Sequence, residues 1–468
     1  MSARVDTLIT NGRVVTPLGV IKANVALTDG RVGAILEHGM QMAAESVIDA
    51  TGCLVLPGGV DPHVHFENPS MGTATAHDFA LGSQAAALGG TTTFIDFAFQ
   101  QPGETPLDTL RQRRASAEAK SILDFGLHGC ITNPSAESVA QIPKMASMGY
   151  PSLKVFLVYR DEGWMVDDGA LAEIMTVAAR AGVVLLVHAE NEAMLQRGIE
   201  GRVQAGDLAA GGHGRSRPPL VEAEAINRAA YLAGITGCST YIVHVSTGDG
   251  VEVIRAAHAR GAPVVGETCP HYLVFDESYL ERPDGYRWVM SPPLRDATNP
   301  PRLWAALEAG ELVATGSDDA AYFEAAKVRG RGDFRQIANG VPGVQVRLPI
   351  LFSEGVVKRG MSLQRFVELT ASTPARIFGL YPRKGVLAPG SDGDVVVLDP
   401  EVRWRGDRAH LWTNIEYTCY EEVEFTGLPI HVWSGGRPVV RDAALAADPG
   451  TGRFVARDRH DPSTVRIQ

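Results

Sequence analysis

Two textures of apolar and polar positions run along this chain. Over the first fifty residues the runs VDTLI, RVVTP, NVALT and RVGAIL are short and β-like, punctuated by Asn11-Gly12 and Asp29-Gly30. Turn-forming dipeptides between alternating apolar runs predict hairpins. The same texture returns in KGVLAPGSDGDVVVLDP (384–400), with Pro389-Gly390 and Asp392-Gly393 as turns. Neither end alone has enough strands for a stable sheet. The two ends are therefore expected to pair into one small β-sandwich domain, 1–56 plus 384–468 with a C-terminal extension.

The body between them, 57–383, alternates apolar runs with longer amphipathic stretches. Strand-like runs include TTTFIDFAF (91–99), SLKVFLVY (152–159), GVVLLVHAE (182–190), TYIVHVS (240–246), APVVGETC (262–269) and ELVATGSDD (311–319). Helix-like segments lie between them, at 167–181, 250–261 and 300–310. This alternation predicts βα units on a parallel sheet, and their number predicts an α/β fold closed as a (β/α)8 TIM-like barrel. An open doubly wound sheet is the alternative, but no GxGxxG follows an early strand.

The 468 residues leave room for one barrel of about 250 residues and a smaller module. Lys+Arg 43 against Asp+Glu 54 gives a net charge of −11, with no clustered basic run, so nucleic acid is not an expected partner. No stretch approaches the roughly 18 uninterrupted apolar residues of a spanning helix, and the N-terminus has no signal-peptide pattern. Five scattered cysteines without a CxxC pair read as reduced thiols, and the expected location is cytoplasmic.

The candidate chemistry sits at the ends of the apolar runs. Asp61-Pro62-His63-Val64-His65 follows VLPGGV, and residues two apart on an extended segment face the same side. His188 ends VVLLVH, His244 ends YIVH and Asp318 ends LVATGSD. Carboxyl ends of barrel strands converge on one rim, where four imidazoles and a carboxylate suit a zinc-like ion. Most of the other nine histidines read as surface or supporting residues. Lys154 is anomalous because its apolar strand would bury it. Either a partner carboxylate or a depressed pKa accommodates it, or its neutral amine takes up carbon dioxide as an anionic carbamate that could bridge two cations. Composition leaves both open.

The pieces GGVDPHVHF, AALGGTTTFIDF, SLKVFLVY, VHAEN, SRPPLVEAEA, GETCPHYL, SPPLR and NGVPG, in that order, resemble the amidohydrolase superfamily. Within it the resemblance is to the cyclic amidohydrolases: dihydropyrimidinase, hydantoinase, allantoinase and dihydroorotase. It implies two divalent metal ions, zinc by default, with manganese, cobalt or iron also compatible with the ligand set. His63 and His65 with Asp318 would hold the more buried ion, and His188 with His244 the more exposed one. Lys154, as N6-carboxylysine, would bridge both. Asp318 would shuttle the proton, Tyr159 would stabilise the oxyanion, and Ser291 and Asn339 would hold the cyclic imide edge through backbone groups. The family also implies a homotetramer acting on a small-molecule cyclic amide.

Departures from the family pattern bear on substrate. Glu67 stands where dihydroorotase-like sequences place an arginine for the substrate carboxylate, which disfavours dihydroorotate. Asp319 replaces the histidine that usually follows the catalytic aspartate; it could raise the pKa of Asp318 or point away from it. The expected reaction is ring opening of a 5,6-dihydropyrimidine or hydantoin to an N-carbamoyl amino acid. Allantoin opening is the neighbouring alternative, and a non-catalytic scaffold the distant one. The 321–336 segment reads as a solvated loop near the mouth of the site.

Overall fold

The computed structural model describes residues 4–40, 42–70 and 72–461. Met71 of the 66–78 loop and residues 462–468 of the C-terminal extension lie outside it. Eight strands form a parallel sheet in chain order: Gly59–Val64, Thr91–Phe99, Asp124–Cys130, Ser152–Phe156, Val184–His188, Thr240–Ile242, Val264–Thr268 and Ala314–Thr315. The run 91–99 is strand throughout and wholly buried. The other predicted runs stop pairing earlier, since their last residues leave the ladder to form the rim that carries the polar side chains.

Asp124–Cys130 was not among the predicted strand runs because Asp124, His128 and two glycines interrupt its apolar pattern. Each polar group there has a partner. Asp124 meets Lys384 at 2.9 Å and Arg437 at 2.7 Å, and His128 is held between Ser152 Oγ and the Pro62 carbonyl.

The barrel closes through its functional rim. Asp318 N–H donates to the His63 carbonyl at 2.9 Å, and His65 N–H to the Asp319 carbonyl at 3.0 Å. Gly316 permits this seam: a Cβ there would lie 2.5 Å from Glu267 Oε2 and 2.6 Å from His63 Cβ. Beneath it, Asp61 accepts from the Ser317 N–H at 3.0 Å and faces the buried Arg347 at 3.4 Å. The predicted helices appear as Asp168–Ala181, Gly248–Ala259 and Asn299–Ala309. In the first, Asp167 caps the Ala170 N–H and Gly182 ends the helix in the left-handed region.

The chain ends share one nine-stranded sheet, joined where Val395–Arg405 pairs antiparallel with Leu54–Pro57. Asp29-Gly30 turns a hairpin as expected, but Asn11-Gly12 does not. Val5–Thr16 is one strand, and Asn11, at φ 63°, forms a bulge inside it. The 321–336 segment is also less solvated than expected. It contains a short helix, Glu324–Val328, and buries Tyr322, Lys327 and Phe334, with Lys327 Nζ donating to the Val289 carbonyl at 2.7 Å. The five cysteines are buried free thiols. No helix among the described residues is long and apolar enough to cross a membrane.

Candidate active site

At the carboxyl ends of the barrel strands lies a pocket of about 630 Å³ including its open mouth, within the usual range for small-molecule sites. His65, Lys154, Tyr159, His188, His244, Ser291, Asp318 and Asn339 all line it. His63 is wholly buried and does not line the pocket itself, but it touches two residues that do, His65 and Asp318.

His63 Nε2 lies 3.2 Å from His65 Nε2, and Asp318 Oδ1 lies 3.1 and 3.2 Å from the two. Donors on one tetrahedral ion at about 2.0–2.1 Å stand about 3.3 Å apart, so this triangle has the spacing of a shared ligand set. The second pair is equally close, with His188 Nδ1 3.0 Å from His244 Nε2. The rings of His63 and His244 are 5.5 Å apart, which places the two sets side by side.

Two carboxylates absent from the sequence reading fix which nitrogens point inward. Glu267 takes His63 Nδ1–H at 2.5 Å and is held by the Tyr241 hydroxyl at 2.8 Å. Glu190 takes His188 Nε2–H at 2.8 Å. Each leaves the opposite ring nitrogen with its lone pair facing the site. Burial would raise Glu190, yet His188 and Arg217 hold its carboxyl down at about 2. The available signal was a glutamate at a strand end, in VHAEN and GETC, where the surrounding runs are apolar.

The electrostatics favour ligands over cations. Burial lowers His188, pushes His65 down to about 4 and takes His244 far below the ordinary histidine range. Burial also raises Asp318, but His63 and the hydrogen bonds from His63 and His65 outweigh it and keep the carboxyl well below the usual range. Within this set His63 alone is raised, by the charges of Asp318 and Glu267 against burial, so three neutral imidazoles and an ionised carboxylate stand beside a histidine that a metal ion would have to deprotonate. The donor set therefore fits divalent ions that favour imidazole and carboxylate ligands. Glu267→Gln should weaken metal affinity by about 10–100-fold, read by competition with a chromogenic chelator; unchanged affinity would show that His63 needs no such anchor.

Lys154 is 1% exposed, its Nζ 5.0 Å from the Phe97 ring centre and 5.2 Å from that of Phe156. Burial pushes its amine down to about 8. Lys384, equally buried, shows the ordinary solution: Asp124, Asp392 and Asp394 surround it at 2.9, 3.2 and 2.8 Å, and their charges raise its pKa despite burial. Tyr159 packs 5.2 Å from the His188 ring, and burial raises its pKa, so the phenol remains a proton donor. Tyr159, His244 and Asp318 all have positive φ (70°, 41° and 49°), a backbone conformation that side-chain-bearing residues rarely adopt. Asn339 Nδ2 donates to Ser291 Oγ at 3.1 Å.

The departures have definite positions. Glu67 turns from the pocket to the Ser116 hydroxyl and to Lys120 at 2.5 Å. Asp319 faces His77 and two backbone amides, which hold its carboxyl low despite burial, and Asp318 remains ionised beside it. Of the other nine histidines, His77, His128, His213, His271 and His431 are buried, and His77 and His128 support the barrel rim and its strands through hydrogen bonds.

Comparison with known proteins agrees along the whole chain. Residues 54–439 match the model of the amidohydrolase family. The D-hydantoinase of Geobacillus stearothermophilus is 39% identical over 457 residues, covering 97% of both chains. The crystal structure of dihydropyrimidinase from Brevibacillus agri NCHU1002 superimposes with a TM-score of 0.95 at 38% identity, covering 97% of this chain and 99% of that one. The L-hydantoinase (dihydropyrimidinase) of Arthrobacter aurescens gives 0.90 at 33%, covering 97% of this chain and 100% of that one. The chain belongs to the amidohydrolase family, among the enzymes that hydrolyse cyclic amides.

Proposed function

We propose that this enzyme opens hydantoin or 5,6-dihydropyrimidine rings to N-carbamoyl amino acids. The observation that carries the reading is the paired donor set: His63, His65 and Asp318 within 3.2 Å of one another beside His188 and His244 at 3.0 Å. Lys154, as N6-carboxylysine, completes both sets; its burial without a salt-bridge partner among the described residues supports this. When bound, two divalent ions, zinc by default, supply Lewis acidity toward the amide carbonyl and make water acidic enough to attack near neutral pH.

The chain's own groups supply the rest. Asp318 meets both histidines through Oδ1, which leaves Oδ2 to accept the proton of the attacking water and return it to the departing ring nitrogen. Tyr159 donates its phenolic hydrogen to the developing oxyanion. Backbone groups of Ser291 and Asn339 hold the imide edge. Phe99, Phe156, Trp164 and Met290 line the remaining wall and suit an apolar ring face or substituent. Glu67, anionic and engaged with Lys120, offers nothing to a substrate carboxylate, which argues against dihydroorotate.

Metal-replete protein should hydrolyse dihydrouracil or hydantoin, assayed by loss of ring absorbance beside allantoin and dihydroorotate. Turnover of allantoin alone would move the substrate to the neighbouring ring. Silence on all four with two metals bound would overturn the reading, and silence without metal would favour the scaffold. The same family resemblance supports a homotetramer, and the buried free thiols are in keeping with a cytoplasmic location.

A further inference from the structure

Asp319 is completely buried, and each of its carboxylate oxygens holds a different loop of the pocket. Oδ1 accepts the N–H of Gly343 at 2.7 Å, which ends the NGVPG segment that begins with Asn339, and that of the following Val344 at 3.1 Å. Oδ2 meets His77 Nδ1 at 2.8 Å, and the far nitrogen of that ring meets Thr413 Oγ1 at 2.8 Å. His77 closes the 66–78 loop, its carbonyl accepting from Glu67 N–H at 2.7 Å, and that loop brings Asn68, Ser70 and Thr75 to the pocket. The clasp is tight: a Cβ on Gly343 would lie 2.8 Å from the Ser317 carbonyl. The backbone of Asp319 itself sits in the barrel seam, bridged to Val64 on one side and Val341 on the other.

We propose that Asp319, acting with His77, is a positioning residue that sets the distance between the 66–78 loop and the Asn339 turn, and so the width of the ring-binding slot. This rests on the reading that the Ser291–Asn339 edge receives the cyclic imide. Asp319 touches neither the substrate nor the histidines of the donor set through its side chain. Its effect should therefore fall on binding that is equal in ground and transition states.

The test is steady-state kinetics with dihydrouracil or hydantoin on metal-loaded variants, with metal content measured in parallel. Asp319→Ala should raise KM at least about tenfold while kcat falls less than about threefold and both metals stay bound. Asp319→Asn keeps an oxygen for the two amides and can donate to His77 in its other tautomer, so it should recover KM to within about threefold of wild type. His77→Ala removes one arm only and should lie between the two. An unchanged KM in Asp319→Ala, or metal loss in proportion to activity, overturns the proposal, as does an Asn variant as impaired as the Ala variant. If Asp319→Ala does not fold, His77→Ala decides, and an unchanged KM there overturns it. A wild type inactive on every ring strikes the substrate reading, whereas an active wild type with an indifferent Asp319→Ala strikes only the clasp.

Discussion

Lys154→Ala should reduce turnover of the cyclic amide by at least about a thousandfold and leave the protein short of metal. The expectation follows from what a buried amine can do. At neutral pH an uncarboxylated Lys154 is an ammonium between two phenylalanine rings, and its pKa, pushed down to about 8 by burial, records the cost of keeping it charged there. The sign follows from linkage: below about 8 the folded and unfolded chains both hold the proton and the cost is complete, and it fades as pH rises toward the ordinary lysine value. Carboxylation removes that cost by converting the cation into an anion beside a cation site.

Two readouts separate this from a packing role. Metal per chain should fall in Lys154→Ala and in Lys154→Arg, whose guanidinium cannot be carboxylated. Metal-free Lys154→Ala should lose little thermal stability, because relief of the buried charge offsets the cavity left behind. Lys384→Ala is the contrast: Asp124 keeps Arg437 and Asp392 keeps Arg383, but Asp394 loses its only cationic partner among the described residues and three buried carboxylates lose the charge between them, so the fold should be destabilised severely. Both metals and full rate retained in Lys154→Ala would rule out a bridging carbamate.

Much of this was legible in the sequence because barrel chemistry is written at strand ends. His188, His244 and Asp318 each close an apolar run, and the spacing of His63 and His65 puts both on one side of their strand. Glu267 and Glu190 were passed over because a glutamate beside an apolar run is ambiguous until its partner, far away in sequence, is known. The role of Asp319 was similarly out of reach. Whether it repels Asp318 or turns away depends on His77, 242 positions earlier, and on two amides in the turn after Asn339. The bulge at Asn11-Gly12 misled for a local reason: the dipeptide that turns a hairpin also supplies the positive φ of a bulge, and only the continued pairing with Gly19–Thr28 distinguishes them.

Asp318→Asn should be nearly as damaging as loss of Lys154, lowering kcat/KM by about a hundred- to ten-thousandfold. The amide is close in shape but can neither hold the negative charge that His63 and His65 face nor accept a proton from water. Where its nitrogen falls near the two Nε2 atoms it would also oppose a cation there. Two functions are therefore lost together, and metal content alone cannot separate them. The leaving group can. If Asp318 delivers the proton that releases the ring nitrogen, a cyclic substrate whose leaving nitrogen is already acidic should suffer less from the substitution than dihydrouracil does. The comparison is made at saturating metal, so that ligand loss affects both substrates equally. An Asp318→Asn deficit identical across leaving groups would confine Asp318 to holding metal and require another residue to move the proton. The carboxyl is ionised in the resting state, held well below the usual range by His63 and by the hydrogen bonds from His63 and His65 against burial, and a base so weakened needs the acidified water that a bound cation supplies before it can take the proton.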